Sequence, residues 1–196
     1  MNTPMIDMKE ETLANDRSRL LALLTERSYE KKKVVLSSGR ESDFYIDCKK
    51  TLLTAEGHWL VGRLLFAEIR KIYRSAVGVG GLTMGADPIA SAVSLVSHLG
   101  RAPLHAFFVR KEPKGHGTGQ WIEGLSALPS GSQVVVVEDV ITTGASTIKA
   151  IERARQEGLV PVAAIAVVDR QEGGSDRIAE LGVPVHSLFT RGDFPA

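Results

Sequence analysis

The sequence predicts an α/β fold with a mainly parallel central sheet flanked by helices, and three features lead to this prediction. Short apolar runs alternate with stretches of helical periodicity. The four consecutive valines of Val134–Val137 are typical of a strand buried on both faces. A length of 196 residues suits one hydrophobic core, so a single domain is expected over residues 1–196.

The first part of the chain, about residues 1–50, is expected to form a helix and a small flap. Asp16–Glu30 carries clustered leucines and is predicted to be helical. Val34–Leu36 and Phe44–Asp47 are predicted to be short strands around the turn at residues 37–40. Two short strands separated by such a turn favour an antiparallel pairing, which gives a hood beside the core.

The α/β core is expected to occupy about residues 55–190. Ala55–Tyr73 is predicted to be a long helix, because its apolar residues recur at helical spacing along one face. The predicted strands that follow are Ala76–Val79, Leu104–Val109, Gln133–Val137, Val162–Val168 and an edge strand near Val183–Leu188.

A glycine-rich segment, Gly78–Gly85, follows the first core strand and is predicted to be a loop close to a ligand. Its glycines do not fit the dinucleotide pattern G-x-G-x-x-G, so a Rossmann cofactor site is disfavoured. Asp87 and Pro88 then predict a helix start, with Asp87 as the N-cap. That helix is expected to end at Leu99, before Gly100.

Two adjacent acids, Glu138 and Asp139, follow the valine run, and a short loop of small and hydroxyl residues then opens a helix at about Thr147–Glu157. Free N–H groups and the dipole at a helix start favour a phosphate. Hydroxyl groups of the loop can add hydrogen bonds, and Gly144 permits close approach of the backbone. Adjacent carboxylates suit ribose hydroxyls or a hydrated Mg²⁺. The pattern indicates a site for a phosphorylated sugar, and the plainer alternative is a capped strand–turn–helix.

A long segment, residues 110–124, is predicted to be a mobile lid over that site. It carries four glycines and four potential cations, which are Arg110, Lys111, Lys114 and His116. Clustered cations repel one another unless an anion binds between them, and pyrophosphate is such an anion. An exposed, disordered surface loop is the alternative interpretation.

Composition excludes several classes of function. The formal net charge of +1 gives no reason to expect nucleic-acid binding. No apolar run approaches a membrane span, and residues 1–17 lack the layout of a signal peptide. Cys48 is the single cysteine and the histidines are scattered, so zinc is disfavoured and a cytoplasmic location is expected.

The segment Glu138–Gly144 resembles the motif by which type I phosphoribosyltransferases bind phosphoribosyl pyrophosphate (PRPP), and this resemblance implies their fold. Carried over by position, it implies a PRPP site formed by Arg110, Lys111, Lys114, His116, Glu138, Asp139, Val140, Ile141, Thr142, Thr143, Gly144, Ala145 and Ser146. Catalytic roles are implied for Lys111, Lys114, His116 and Asp139. The implied cofactor is Mg²⁺, held mainly through the pyrophosphate of the substrate rather than by a protein metal site.

Three further segments, Leu36–Asp47, Arg110–His116 and Asp169–Gly174, resemble those of the orotate-specific members of this family. The resemblance implies transfer of phosphoribose from PRPP to orotate in pyrimidine biosynthesis, with Thr142 and Arg170 contacting orotate. An arginine fork suits the orotate carboxylate, whereas neutral purines would not need it. Pairing of Arg170 with Asp169 or Glu172 is the structural alternative.

One position departs from the family pattern, because Ser37 stands where many members have a donor-binding lysine. The resemblance also implies a homodimer in which the lid of one subunit reaches the site of its neighbour. A transferase for another base and a PRPP-binding regulator without catalysis are the competing hypotheses. No spare length or basic surface favours the regulator.

Overall fold

The computed structural model describes residues 6–35, 41–113 and 120–195. Its helices are α1 (Glu10–Arg27), α2 (Lys49–Leu52), α3 (Ala55–Ile72), α4 (Ala86–Leu99), α5 (Ala145–Gln156) and α6 (Gly174–Ala179). Its strands are β1 (Tyr29–Val35), β2 (Glu41–Ile46), β3 (Gly78–Leu82), β4 (His105–Val109), β5 (Ile122–Glu123), β6 (Gln133–Ile141), β7 (Val160–Asp169) and β8 (Val185–Thr190).

The central sheet has the order β5-β4-β3-β6-β7-β8 in the described part of the chain. All neighbouring strands pair in parallel except β4 and β5, which are antiparallel. This confirms the predicted α/β architecture, and β8 lies at the edge as expected. The short β5 lies within the segment predicted to be a continuous loop.

The valine run of β6 is buried on both faces, as its composition predicted. Val135 and Val137 belong to the apolar layer that contains residues of α1, α3 and α4. Val134 and Val136 belong to the opposite layer, which contains residues of α5 and α6. Alternate side chains therefore anchor two helical layers, and the sheet holds the end of β6 in a fixed position.

The predicted flap is present, because β1 and β2 form a separate antiparallel pair. The boundaries of α1 were predicted wrongly, since the helix begins at Glu10 and ends at Arg27. Acidic residues in its first turn suit the positive end of the helix dipole. Tyr29 and Glu30 pair with β2 instead of extending the helix. The turn at residues 37–40, including Ser37, lies outside the described residues.

The glycines before α4 lie mainly in strand β3, which corrects the predicted loop. A Cβ atom at Gly80 would lie 2.1 Å from the carbonyl oxygen of Phe107, so close strand packing requires glycine there. The connecting loop shortens to residues 83–85. Asp87 is not the N-cap, because Gly85 occupies that position and α4 already begins at Ala86. The predicted helix end at Leu99 is confirmed.

Strand β6 and helix α5 have bounds that differ from those predicted. Strand β6 continues through Glu138 to Ile141, so the acids and the two residues after them belong to the strand. Helix α5 begins at Ala145, two residues earlier than predicted. No helix in the described ranges is long and apolar enough to cross a membrane.

Candidate active site

The candidate site lies where the carboxyl ends of β3, β6 and β7 meet the start of α5. Parallel strands bring these ends to one edge of the sheet, which is the usual place for ligands in open α/β sheets. The backbone N–H of Arg170 donates to the carbonyl of Ile141, which holds the ends of β6 and β7 together. The acid pair, the hydroxyl loop and the segment after β7 are therefore neighbours.

The hydroxyl loop forms a cradle at the start of α5. A cavity of about 270 Å³ is lined by Glu138, Val140, Ile141, Thr142, Thr143, Gly144, Ala145, Ser146 and Thr147. Gly144 has a φ of 77°, and a Cβ atom there would lie 2.8 Å from the carbonyl oxygen of Gly174. Only glycine combines this conformation with such close contact. The geometry fits the predicted phosphate cradle and adds Thr147, which the prediction left out.

The two acids beside the cradle have different surroundings. Glu138 is buried, and desolvation followed by the nearby charge of Asp139 raises the pKa of its carboxyl well above the ordinary value. The hydroxyl of Thr147 lies 3.3 Å from Glu138 Oε2 and donates to it. Asp139 Oδ1 accepts a hydrogen bond of 2.9 Å from the N–H of Val140. The pair thus combines a buried carboxyl whose pKa is raised with a second carboxyl group that the backbone holds in position.

A second cavity, of about 230 Å³, adjoins the cradle and shares Glu138 and Ser146 with it. Its other lining residues are Lys49, Leu82, Thr83, Met84, Gly85, Lys111 and Asp139. The turn after β3 thus reaches the site, as predicted. Lys49 was missed, because a lysine followed by a second lysine resembles any solvated cation in the sequence. Its Nζ lies 2.8 Å from Asp47 and 3.5 Å from Asp139.

The two ends of the predicted lid contact each other, and its first end also contacts the core. Arg110 forms an ion pair of 2.9 Å with Glu123 across the β4–β5 hairpin, so it does not line either cavity beside the acids. The backbone carbonyl of Lys111 accepts a 2.8 Å hydrogen bond from Lys149 of α5. Lys114 and His116 lie outside the described residues, so their predicted roles stay predictions.

Arg170 lies directly after β7 and is buried. Its guanidinium donates to the carbonyl of Phe44 at 2.8 Å and pairs with Glu172 at 3.0 Å. The ion pair between Arg170 and Glu172, which was the alternative to a role in binding, is therefore present. Asp169 does not pair with Arg170 among the described contacts, and it accepts hydrogen bonds from the Ser175 hydroxyl and the Gln171 backbone N–H. The hydrogen bond from Arg170 to Phe44 joins the flap to the carboxyl end of β7.

The described residues include no group of three or more His, Cys, Asp or Glu that could hold a metal ion. The acid pair and neighbouring hydroxyls line the two cavities and offer oxygen ligands for Mg²⁺. Mg²⁺ commonly takes one or two carboxylates and completes its coordination with substrate phosphates and water. The residues present therefore fit a Mg²⁺ ion that arrives with a phosphorylated substrate.

Comparison with known proteins places this fold and site in one class. The family model described as "Phosphoribosyl transferase domain" matches residues 56–181. An orotate phosphoribosyltransferase of Sorangium cellulosum is 53% identical over 92% of this chain and 94% of its own. Another, from Thermosynechococcus vestitus, is 46% identical over 95% of this chain and 97% of its own.

Solved structures agree with these relatives. The orotate phosphoribosyltransferase of Mycobacterium tuberculosis in complex with PRPP has a TM-score of 0.74 and 35% identity, over 91% of this chain and 98% of that one. The Fe(III) dicitrate complex of the same enzyme gives a TM-score of 0.77 and 38% identity, with the same coverage. The chain belongs to the phosphoribosyltransferase family and, within it, to the orotate phosphoribosyltransferases.

Proposed function

We propose that this enzyme transfers the phosphoribosyl group of PRPP to orotate, which yields orotidine 5′-monophosphate and pyrophosphate in pyrimidine biosynthesis. The observation that carries the proposal is the pair of adjoining cavities, which meet at Glu138 and Ser146. One cavity is an anion cradle and the other is flanked by lysines, so together they match a donor with phosphate at both ends.

The cradle of residues 142–146 binds the 5-phosphate of PRPP in this proposal. Its support is the start of α5, where backbone N–H groups and hydroxyls surround the cavity. Glu138 and Asp139 then face the ribose hydroxyls, because Glu138 lines both cavities and Asp139 lines the second. The side-chain oxygens of Glu138 and Asp139 can each form a hydrogen bond with a ribose hydroxyl.

Pyrophosphate leaves the anomeric carbon as the orotate ring nitrogen forms its bond from the opposite face. Negative charge grows on the leaving group, so cations beside it lower the barrier. Lys111 lines the second cavity and is proposed to act there. Lys114 and His116 are proposed to join it from the lid, while Arg110 binds PRPP after separating from Glu123.

Orotate is proposed to bind between the flap and the end of β7. Arg170 offers the guanidinium that suits an orotate carboxylate, and its burial strengthens that interaction. Thr142 lines the cradle and is proposed to contact orotate. The alternative role of Arg170, which is to hold Phe44 and Glu172, is compatible with binding because a guanidinium carries five N–H donors.

Mg²⁺ is proposed as the cofactor, bound mainly through the pyrophosphate, where it neutralises charge on the leaving group. The remaining proposals are one domain over residues 1–196, a cytoplasmic location, and a homodimer whose subunits exchange their lids. Their support is the similarity to the family and, for the location, the single buried thiol of Cys48.

The direct test is to mix purified protein with orotate, PRPP and Mg²⁺ and to follow orotate absorbance together with pyrophosphate release. Equal loss of orotate and gain of pyrophosphate is expected. PRPP binding by calorimetry without turnover would instead favour the regulator hypothesis, and turnover with another base would favour a transferase of different specificity.

A further inference from the structure

Lys49 lies at the first residue of α2, where the chain passes from the flap to the core. Its side chain lines the second cavity together with Lys111, Asp139 and the turn at residues 83–85. None of the roles proposed above includes this lysine. A residue at the junction of the flap and the core therefore contributes a cation to the cavity that adjoins the phosphate cradle.

The contacts of Lys49 leave it able to bind an anion. A lysine ammonium has three N–H donors, and Asp47 and Asp139 take up two of them at 2.8 Å and 3.5 Å. Among the described residues no other side chain pairs with its Nζ. The hydrogen bond to Asp47 raises the pKa of Lys49, so the group stays charged at neutral pH.

The position of Lys49 also fixes which part of the donor it can meet. Glu138 and Ser146 line both the cradle and the cavity of Lys49, so the two cavities adjoin at these residues. Lys111 lines that same cavity. With the 5-phosphate in the cradle, the diphosphate end of the donor would enter the cavity that these two lysines line.

We infer that Lys49 is a pyrophosphate-binding residue, which contacts the diphosphate of PRPP and of the product from the flap side of the site. This inference rests on the proposed function. It adds a binding residue that is present whatever the position of the lid, because α2 packs against α1 and α3. The flap thereby contributes to binding of the phosphate donor as well as to binding of the base.

The test compares Lys49→Met with Lys50→Met. Lys50 is a matched control, since it is equally exposed but pairs with Glu30 away from the cavities. Calorimetry with Mg²⁺ and pyrophosphate is expected to show about tenfold weaker binding for Lys49→Met, as for loss of one charge-assisted hydrogen bond, and unchanged binding for Lys50→Met. Lys49→Arg is expected to restore most of the affinity.

Unchanged pyrophosphate affinity in Lys49→Met would overturn the inference, even if kcat fell, because the lysine would then act only through Asp139. Thermal unfolding verifies that each variant is folded, and Lys49→Gln replaces the methionine variant if that one is unstable. Failure of the wild-type protein to convert orotate, with normal pyrophosphate binding, would contradict the proposed function and leave the Lys49 comparison intact.

Discussion

At the scale of single residues, the site depends on side chains whose surroundings change their chemistry. Glu138 and Asp139 are neighbours in the chain, yet only Glu138 is deeply buried, so desolvation raises the pKa of its carboxyl above that of an exposed glutamate. Arg170 is buried in contact with Phe44 and Glu172, so its charge is fixed in place before any base arrives. The burial of Glu138 affects the pH dependence of stability, and the fixed position of Arg170 affects the binding of orotate.

Replacing Glu138 with Gln is expected to stabilise the protein at neutral pH relative to the wild type. The folded-state pKa of Glu138 lies above its unfolded value of about 4.5, so the folded state retains a proton that the unfolded state loses. Its contribution to stability is therefore complete below pH 4.5 and falls as the pH rises towards the folded-state pKa, by up to about 1.4 kcal/mol per pH unit. Urea unfolding at pH 5 and pH 7 measures the free energy of unfolding of both proteins. A difference in this free energy between variant and wild type that is the same at both pH values would refute the raised pKa of Glu138.

Replacing Arg170 with Lys is expected to raise the KM for orotate by about tenfold or more, because lysine cannot form the bidentate contact with a carboxylate. The KM for PRPP is expected to change little. Steady-state kinetics with each substrate varied separates the two. A larger effect on PRPP than on orotate would assign Arg170 to the donor instead.

At the scale of elements, α5 connects the cradle to both ends of the lid. Its first residues line the cradle, while Lys149 one turn later donates to the carbonyl of Lys111. Arg153 lies over the ring of Trp121 with 3.6 Å between guanidinium carbon and ring centroid. Neither contact could be predicted from the sequence, because both join residues far apart in the chain.

Arg153→Ala is therefore expected to lower kcat/KM for PRPP severalfold, because the lid loses a cation–π contact that stabilises it by about 0.5–2 kcal/mol. Limited proteolysis between residues 110 and 124 is expected to become faster. Arg155→Ala is the control, since Arg155 on the same helix bonds to Leu181 instead. Equal effects of the two substitutions would contradict a specific role for the contact with Trp121.

Gly144→Ala tests the cradle itself. Alanine at a φ of 77° costs about 1–2 kcal/mol, and the added Cβ would also press against Gly174. Gly131→Ala shares the backbone cost at a φ of 86° but has no atom within 4 Å. PRPP affinity by calorimetry is expected to fall only for Gly144→Ala. Comparable PRPP affinity in both variants would show that the close approach at Gly144 is not needed for binding.

At the scale of the whole molecule, the sheet order brings together features that lie far apart in the sequence. The parallel architecture, the buried β6 and the residues of the cradle could be predicted because each is recorded in local patterns of apolar, acidic and small residues. The position of Lys49, the ion pair of Arg110 with Glu123, and the glycines of β3 could not. They depend on which strands and loops become neighbours in the fold.

The proposed homodimer predicts that two inactive variants complement each other. Lys114→Ala removes a lid cation and Asp139→Asn removes a carboxylate beside the cradle, so a mixed dimer would retain one intact site if lids cross between subunits. Random assortment of equal amounts gives about one quarter of the wild-type activity. Light scattering is expected to give twice the 21.2 kDa chain mass. Activity of the mixture no greater than that of the separate variants would contradict exchange of lids.

The central claim is that this site joins phosphoribose to orotate, and product identity tests it most directly. The protein would be incubated with PRPP, Mg²⁺ and equal concentrations of orotate, uracil, adenine and guanine, and the nucleotides identified by mass spectrometry. Orotidine 5′-monophosphate is the expected product, in amounts equal to the pyrophosphate released. Formation of another nucleotide in preference to it, or of none while PRPP remains bound, would contradict the account.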